Sequence, residues 1–300
     1  MKPQEKKIKT DKQTRKTRNI NLAYFVWDTS VVDFETTYKE VAEAGIRNIV
    51  INARRGNLNM EVREDVGKAK QILARLGLAA PACHGLCAGA CHLTEEDSEV
   101  WASMLRGHLN LMEQAAELGG RTYVIHLGFG TWSSDSEKHA VWERVRRALD
   151  ELAPRAESLG MTLALENGFT PDYLVQSAEE LISFVVDYGN PAVGICYDSG
   201  HAHIAEGVLP GLKILSPHIV TVHLHDNNGK EDQHLIPGQG TIDWPALVTV
   251  LSQCPRLKHI ETEAANSKQW AFTRDVWPVR DVYARYCEIL NTPDSGLFCR

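Results

Sequence analysis

The sequence predicts a single-domain α/β protein closed into a (β/α)8 TIM barrel, and three observations carry that prediction. Eight short runs of β-branched and aliphatic residues recur along the 300-residue chain. Helical patterns separate them. Six of the runs finish on a residue that can bind a metal or move a proton. Continuous apolar runs between amphipathic helices mark parallel strands buried on both faces, and eight strand–helix units with right-handed crossovers close most simply on themselves. The rival architecture, an open doubly wound sheet holding a dinucleotide, needs a glycine-rich turn after an early strand and an acidic residue about twenty positions later. The one candidate turn, Gly128 to Gly130, lacks the third glycine.

Residues 1–19 carry eight Lys or Arg and almost no apolar side chain, so they cannot bury enough surface to offset their chain entropy and are expected to form a disordered basic tail. The barrel domain is expected over residues 20–300. Its strands are predicted at Leu22 to Val26, Asn48 to Asn52, Ala80 to His84, Thr122 to His126, Thr162 to Glu166, Val193 to Asp198, Ile219 to His223 and His259 to Glu263. Helical periodicity over Thr37 to Ala44, Asp65 to Leu76 and Val141 to Leu159 stops at Gly45, Gly77 and Gly160, as helices do when a glycine takes the left-handed turn. Ser177, ahead of Glu179 and Glu180, reads as the cap that starts the helix after the fifth strand.

With 43% hydrophobic residues the chain has ample material for a core, and its net charge of −7 argues against a surface built to grip nucleic-acid phosphates. No apolar stretch approaches the ~20 residues of a membrane helix, and the start of the chain has no apolar core of a secretory signal, so a cytoplasmic protein without a membrane partner is expected. Seven cysteines is an odd count. Cys83, Cys87 and Cys91 match neither a disulfide framework nor common zinc or iron–sulfur spacings, and small buried thiols are the expectation.

The strand ends carry the chemistry. They are His84, His126, Glu166, Asp198, His223 and Glu261, and α/β enzymes place their sites at such carboxyl ends. Asp198 and His201 lie three apart where a strand turns into a helix, which brings both to one side of the turn, although Asp198 could equally be the helix cap. The stretch VTVHLHDNNGKEDQHLIPGQGTIDW adds His225 on the strand face of His223, then Asp232 and His234 two apart in an extended loop, where both can meet one ion. Oxygen and nitrogen donors of this kind suit zinc, manganese or cobalt. Buried carboxylates are costly unless paired or metal-bound, so a metal site is preferred over an ion-pair network. Arg54 beside Arg55 could clamp a phosphate or carboxylate at the barrel mouth or equally be a solvated loop pair, and Trp27, Phe129, Trp132 and Trp244 near the rim could stack on a flat ligand face or pack against loops.

These residues resemble the xylose isomerase-like TIM barrel superfamily over nearly all of Asn21 to about Leu290, and HLHDN, DQHLIPGQG and IDW resemble its sugar phosphate isomerase/epimerase branch, related to endonuclease IV. By resemblance, Glu166, Asp198, His223 and Glu261 would hold one divalent metal (Mn, Zn, Co or Mg). The endonuclease branch adds ligands for a three-zinc cluster, matched here in place and type by His84, His126, His201, Asp232 and His234. After His84, however, the chain reads GLCAGACHLTE and departs from that branch. The resemblance therefore implies first a metal-dependent isomerase or epimerase of a sugar, sugar acid or polyol. It would work through an enediolate with Glu166 and Glu261 as acid and base, and with Arg54 and Trp27 at the substrate. A zinc-dependent phosphodiester hydrolase is the alternative. A homo-oligomer is compatible with either.

Overall fold

A computed structural model describes residues 18–26, 33–55, 57–87, 91–168, 172–264, 277–291 and 297–299. In chain order the elements are β1 (Arg18–Phe25), α1 (Phe34–Glu43), β2 (Asn48–Ile51), β3 (Arg54–Arg55), β4 (Leu58–Asn59), α2 (Arg63–Leu76), β5 (Ala79–His84), α3 (Ser98–Glu117), β6 (Thr122–Ile125) and α4 (Asp135–Ser158). There follow β7 (Thr162–Glu166), α5 (Ala178–Tyr188), β8 (Val193–Asp198), α6 (Ser199–Ala205), α7 (Val208–Leu215), β9 (Ile219–Leu224), α8 (Trp244–Leu251), β10 (His259–Thr262), α9 (Val279–Leu290) and β11 (Leu297–Cys299).

Eight of these strands are parallel neighbours in the order β1, β2, β5, β6, β7, β8, β9, β10, and β10 returns to β1 from Asn21↔His259 to Tyr24↔Thr262, which closes the barrel. All eight predicted strands are present within a residue at their carboxyl ends. β1 starts earlier than expected, because Arg18 to Ile20 pair with Leu297 to Cys299 of β11. That places Arg18 and Asn19 in a strand rather than in the tail; the rest of the tail lies outside the described residues. Pro81 has no N–H to give to a ladder, and the β2–β5 register shifts across it, from Asn48↔Ala79 to Val50↔Ala82.

Local sequence sets the helix ends. Gly77 ends α2 with φ +67, and Ser177 caps α5 by accepting from Glu180 N. Asp97, Ser134 and Asp243 do the same for α3, α4 and α8. No helix among the described residues is long and apolar enough to cross a membrane.

The period of two along each strand builds the site. Outward residues such as Tyr123, Ile125, Leu163, Leu165, Ile195 and Tyr197 join the large core under the helices. Apart from Phe25, whose ring meets that of His84, inward positions hold small groups, in the clusters Ala23, Phe25, Val50, Ala82 and Val124, Ala164, Cys196, Val220. Two residues further along the same faces come His84, His126, Glu166 and Asp198. β5, β6, β7 and β8 thus each fill the barrel with a small side chain and then deliver a polar one to its mouth.

Candidate metal centre

His223, at the tip of β9 and fully buried, lies at the middle of the polar cluster. Its Nδ1 is 3.4 Å from Glu166 Oε2, 3.9 Å from Asp198 Oδ2 and 3.3 Å from Glu263 Oε1. His84 Nε2 lies 4.0 Å from both Glu166 Oε2 and Glu263 Oε1, while its Nδ1 is 3.2 Å from the Gly85 carbonyl. His126, just past β6, brings Nε2 to 3.0 Å from Glu166 Oε2. A second group adjoins the first. Asp198 Oδ1 is 3.1 Å from His225 Nε2, and Asp232 Oδ2 is 3.7 Å from His201 Nε2 and 3.0 Å from His234 Nε2.

The scaffold around these atoms is over-determined. Asn167 clamps the β7 and β8 tips together, accepting from Asp198 N at 2.7 Å and donating to Asp198 O at 3.1 Å. Asp198 also caps α6, accepting from His201 N at 2.6 Å, so the cap reading and the cluster reading of this residue are both true. His225 stacks on His234 at 4.0 Å, with 9° between the planes. His234 is the one non-glycine with positive φ among the described residues, at 46°, and its Nδ1 lies 2.8 Å from the Glu263 carbonyl. Strained backbone of this kind persists where surrounding contacts impose it.

The donor set fits a divalent ion. Glu166 Oε2, His223 Nδ1 and Nε2, His225 Nδ1, Asp232 Oδ1 and Glu261 Oε2 are buried without a hydrogen-bond partner of good geometry. Each such atom costs about 1–3 kcal/mol; His223 Nε2 and Glu261 Oε2 face each other at 3.3 Å, and the other four are atoms that an ion could satisfy. Four overlapping trios have ligand atoms within 4.8 Å of one another: His84, Glu166, His223; Asp198, His201, His225; His225, His234, Glu263; and Asp198, His223, Glu263.

The electrostatics agree. Burial pushes Glu166 up, but His126 and His223 beside it hold it well below the usual carboxylate range. Glu263 is pushed well above that range by burial and by the nearby charges of Asp198 and Glu166, which outweigh His223. Burial pulls His201 and His223 down, yet the acids around them hold both well above an ordinary imidazole. His84 is pulled down to about 3 by burial and by the imidazoles of His126 and His223.

Of the expected residues, Glu166, Asp198, His223, His84, His126, His201, His225, Asp232 and His234 come together at the mouth. Glu261 does not join the ligand atoms. It faces the other ring nitrogen, with Oε2 3.3 Å from His223 Nε2, because its place in the β9–β10 register lies directly beside His223. Glu263, two residues on along the same strand face, reaches the cluster instead. Trp244 is buried and donates Nε1–H to Asp226 at 2.8 Å, so it packs rather than lining the mouth. Phe129, 42% exposed, stays at the surface against His92 and Tyr173. Trp27 and the side chain of Arg54 lie outside the described residues. Cys83 and Cys91 are buried, as expected, whereas Cys87 is exposed.

Comparison with known proteins adds the family. The chain is 27% identical over 278 residues to L-ribulose 3-epimerase of Mesorhizobium japonicum, covering 86% of this chain and 88% of that one. It is 26% identical over 242 residues to the uncharacterized protein y4fM of Sinorhizobium fredii, covering 71% and 75%. The solved structure of a D-tagatose 3-epimerase-like protein superposes with a TM-score of 0.75 at 20% identity, over 91% of this chain and 98% of that one, which speaks to the fold. The profile of the xylose isomerase-like TIM barrel family matches residues 28–274, the greater part of the chain, and the chain belongs to that family.

Proposed function

We propose that the protein is a metal-dependent epimerase or isomerase of a sugar, sugar acid or related polyol, working through an enediolate. The observation that carries the reading is the convergence of Glu166 Oε2, Asp198 Oδ2 and Glu263 Oε1 on His223 Nδ1 at 3.3–3.9 Å. Three carboxylate oxygens and one imidazole nitrogen suit manganese, cobalt, zinc or magnesium. A divalent ion held there supplies charge stabilisation when a proton leaves the carbon beside a substrate carbonyl. Glu166 and Glu263, which share contacts with His223 Nδ1 and His84 Nε2, are placed to take that proton and return one. Such acid–base help is worth roughly 10² to 10⁴-fold. In this reading Glu263 stands in the role that the resemblance implied for Glu261. The relatives named as epimerases support the substrate class.

The adjoining group of His201, His225, Asp232 and His234, together with His84 and His126, supports a second reading, in which several zinc ions activate water against a phosphodiester. Metal count and chemistry separate the two. One essential divalent ion per chain, with a substrate C–H proton exchanging with deuterated solvent during turnover of a ketose, is the expected result. Three ions with cleavage of a phosphodiester, and no exchange on any ketose or polyol, would replace the first reading with the second. Glu166→Gln and Glu263→Gln are each expected to lower turnover by roughly 10²-fold or more. Ordinary rates in both variants would remove the pair from the reaction.

A further inference from the structure

His223 presents its two nitrogens to different surroundings: Nδ1 faces the carboxylate cluster, and Nε2 lies 3.3 Å from Glu261 Oε2. A neutral imidazole carries one proton, and the nitrogen that binds a metal must be free of it. With Nδ1 as the ligand atom, which rests on the function proposed above, the proton belongs on Nε2. We propose that Glu261 is a positioning residue whose buried carboxylate holds His223 in the Nε2–H form and turns Nδ1 toward Glu166, Asp198 and Glu263.

The strands themselves assemble the device. Thr221 pairs with His259 and His223 with Glu261 in the β9–β10 ladder, so four side chains form a square facing into the barrel. Glu261 Oε1 accepts from Thr221 Oγ1 at 2.7 Å and lies 2.9 Å from His259 Nε2. Held from below in this way, the carboxylate leaves Oε2 as the oxygen facing His223. The Cys196 thiol also touches His223, but a thiol is a weak acceptor beside a carboxylate. Glu261 is fully buried, and Thr221, His223 and His259 surround its carboxylate, with no lysine or arginine paired to it among the described residues. An apolar residue would fill the same space without the cost of burying a charge. Carboxylates that grip the far nitrogen of a metal-bound histidine commonly contribute 10- to 100-fold in metal affinity.

The test uses the full chain, Zn(II) as the probe and two readouts. One is Zn(II) affinity by competition with a chelator. The other is the protonation of His223 by nitrogen-edited NMR, recorded on metal-free protein at alkaline pH and on the Zn(II)-loaded protein. The wild type is expected to show His223 with its proton on Nε2. Glu261→Gln is expected to lose about 10- to 100-fold in Zn(II) affinity and to move His223 toward a mixture of the two neutral forms. Thr221→Val and His259→Gln, which each remove one group steadying Glu261, should shift both readouts in the same direction by less. They carry the test if Glu261→Gln does not fold. Unchanged His223 protonation and Zn(II) affinity within twofold of wild type, in Glu261→Gln or in both supporting variants, would overturn the proposal. A wild type that takes up no divalent ion would instead overturn the proposed function, and the NMR comparison on metal-free protein would still decide the role of Glu261.

Discussion

Gly200 and His225 show how closely single residues set this site. A Cβ at position 200 would stand 1.9 Å from His225 Cε1, so only glycine lets the ring lie against the start of α6 and reach Asp198. Gly200→Ala is expected to push His225 off Asp198 and to cost about 1–3 kcal/mol through overpacking, readable as a lower chemical-denaturation midpoint with unchanged slope. Stability equal to wild type would mean that the ring has room to move. Nine of the ten expected ligand-type residues meet at the mouth because each ends a strand or lies in the loop or helix start that follows one, and strand ends are legible from apolar runs. Which of Glu261 and Glu263 faces the carboxylate cluster was not legible. HIETE puts both acids on one strand face, and their depth in the barrel follows from the register with β9, which no local pattern encodes.

At the scale of elements, the loop from β9 to α8 is organised by Asp226, a residue inside the HLHDN motif that sequence reading passed over. Its carboxylate accepts from Asn227 N, Gly238 N, Ile242 N and Trp244 Nε1, at 2.8–3.2 Å, and it is fully buried. Three backbone donors of the loop and one indole therefore converge on one side chain, whose own backbone pairs with Leu235 beside His234. An amide cannot accept at both ends, so Asp226→Asn should leave at least one donor without a partner and cost about 1–3 kcal/mol. Looser loop packing should appear as faster amide exchange over residues 227–242. Wild-type exchange would refute the role. The signal for Asp226 was the cluster of turn residues after it, but a hub of four donors is a tertiary feature. The β3–β4 hairpin and the terminal pairing of β11 with β1 were also missed, since runs of two or three residues give no periodicity to read.

For the whole molecule, the barrel was legible because its cause is repetitive: eight apolar runs, helices ended by glycine or started by Ser and Asp caps, and a closed parallel sheet that needs no other organisation. The arrangement also predicts linkage between metal and fold. An ion that binds the native mouth and not the unfolded chain raises stability by about 2.7 kcal/mol at a hundred times its dissociation constant, so added Mn(II) should raise the melting temperature and a chelator should reverse the rise. Crystals of the full chain soaked in Mn(II) and measured at the manganese absorption edge test the central claim most directly. An anomalous peak bound by Glu166, Asp198, His223 Nδ1 and Glu263, with Glu261 on the far side of the histidine, is the expected result. No peak at the barrel mouth, or one bound by Glu261 in place of Glu263, would contradict it.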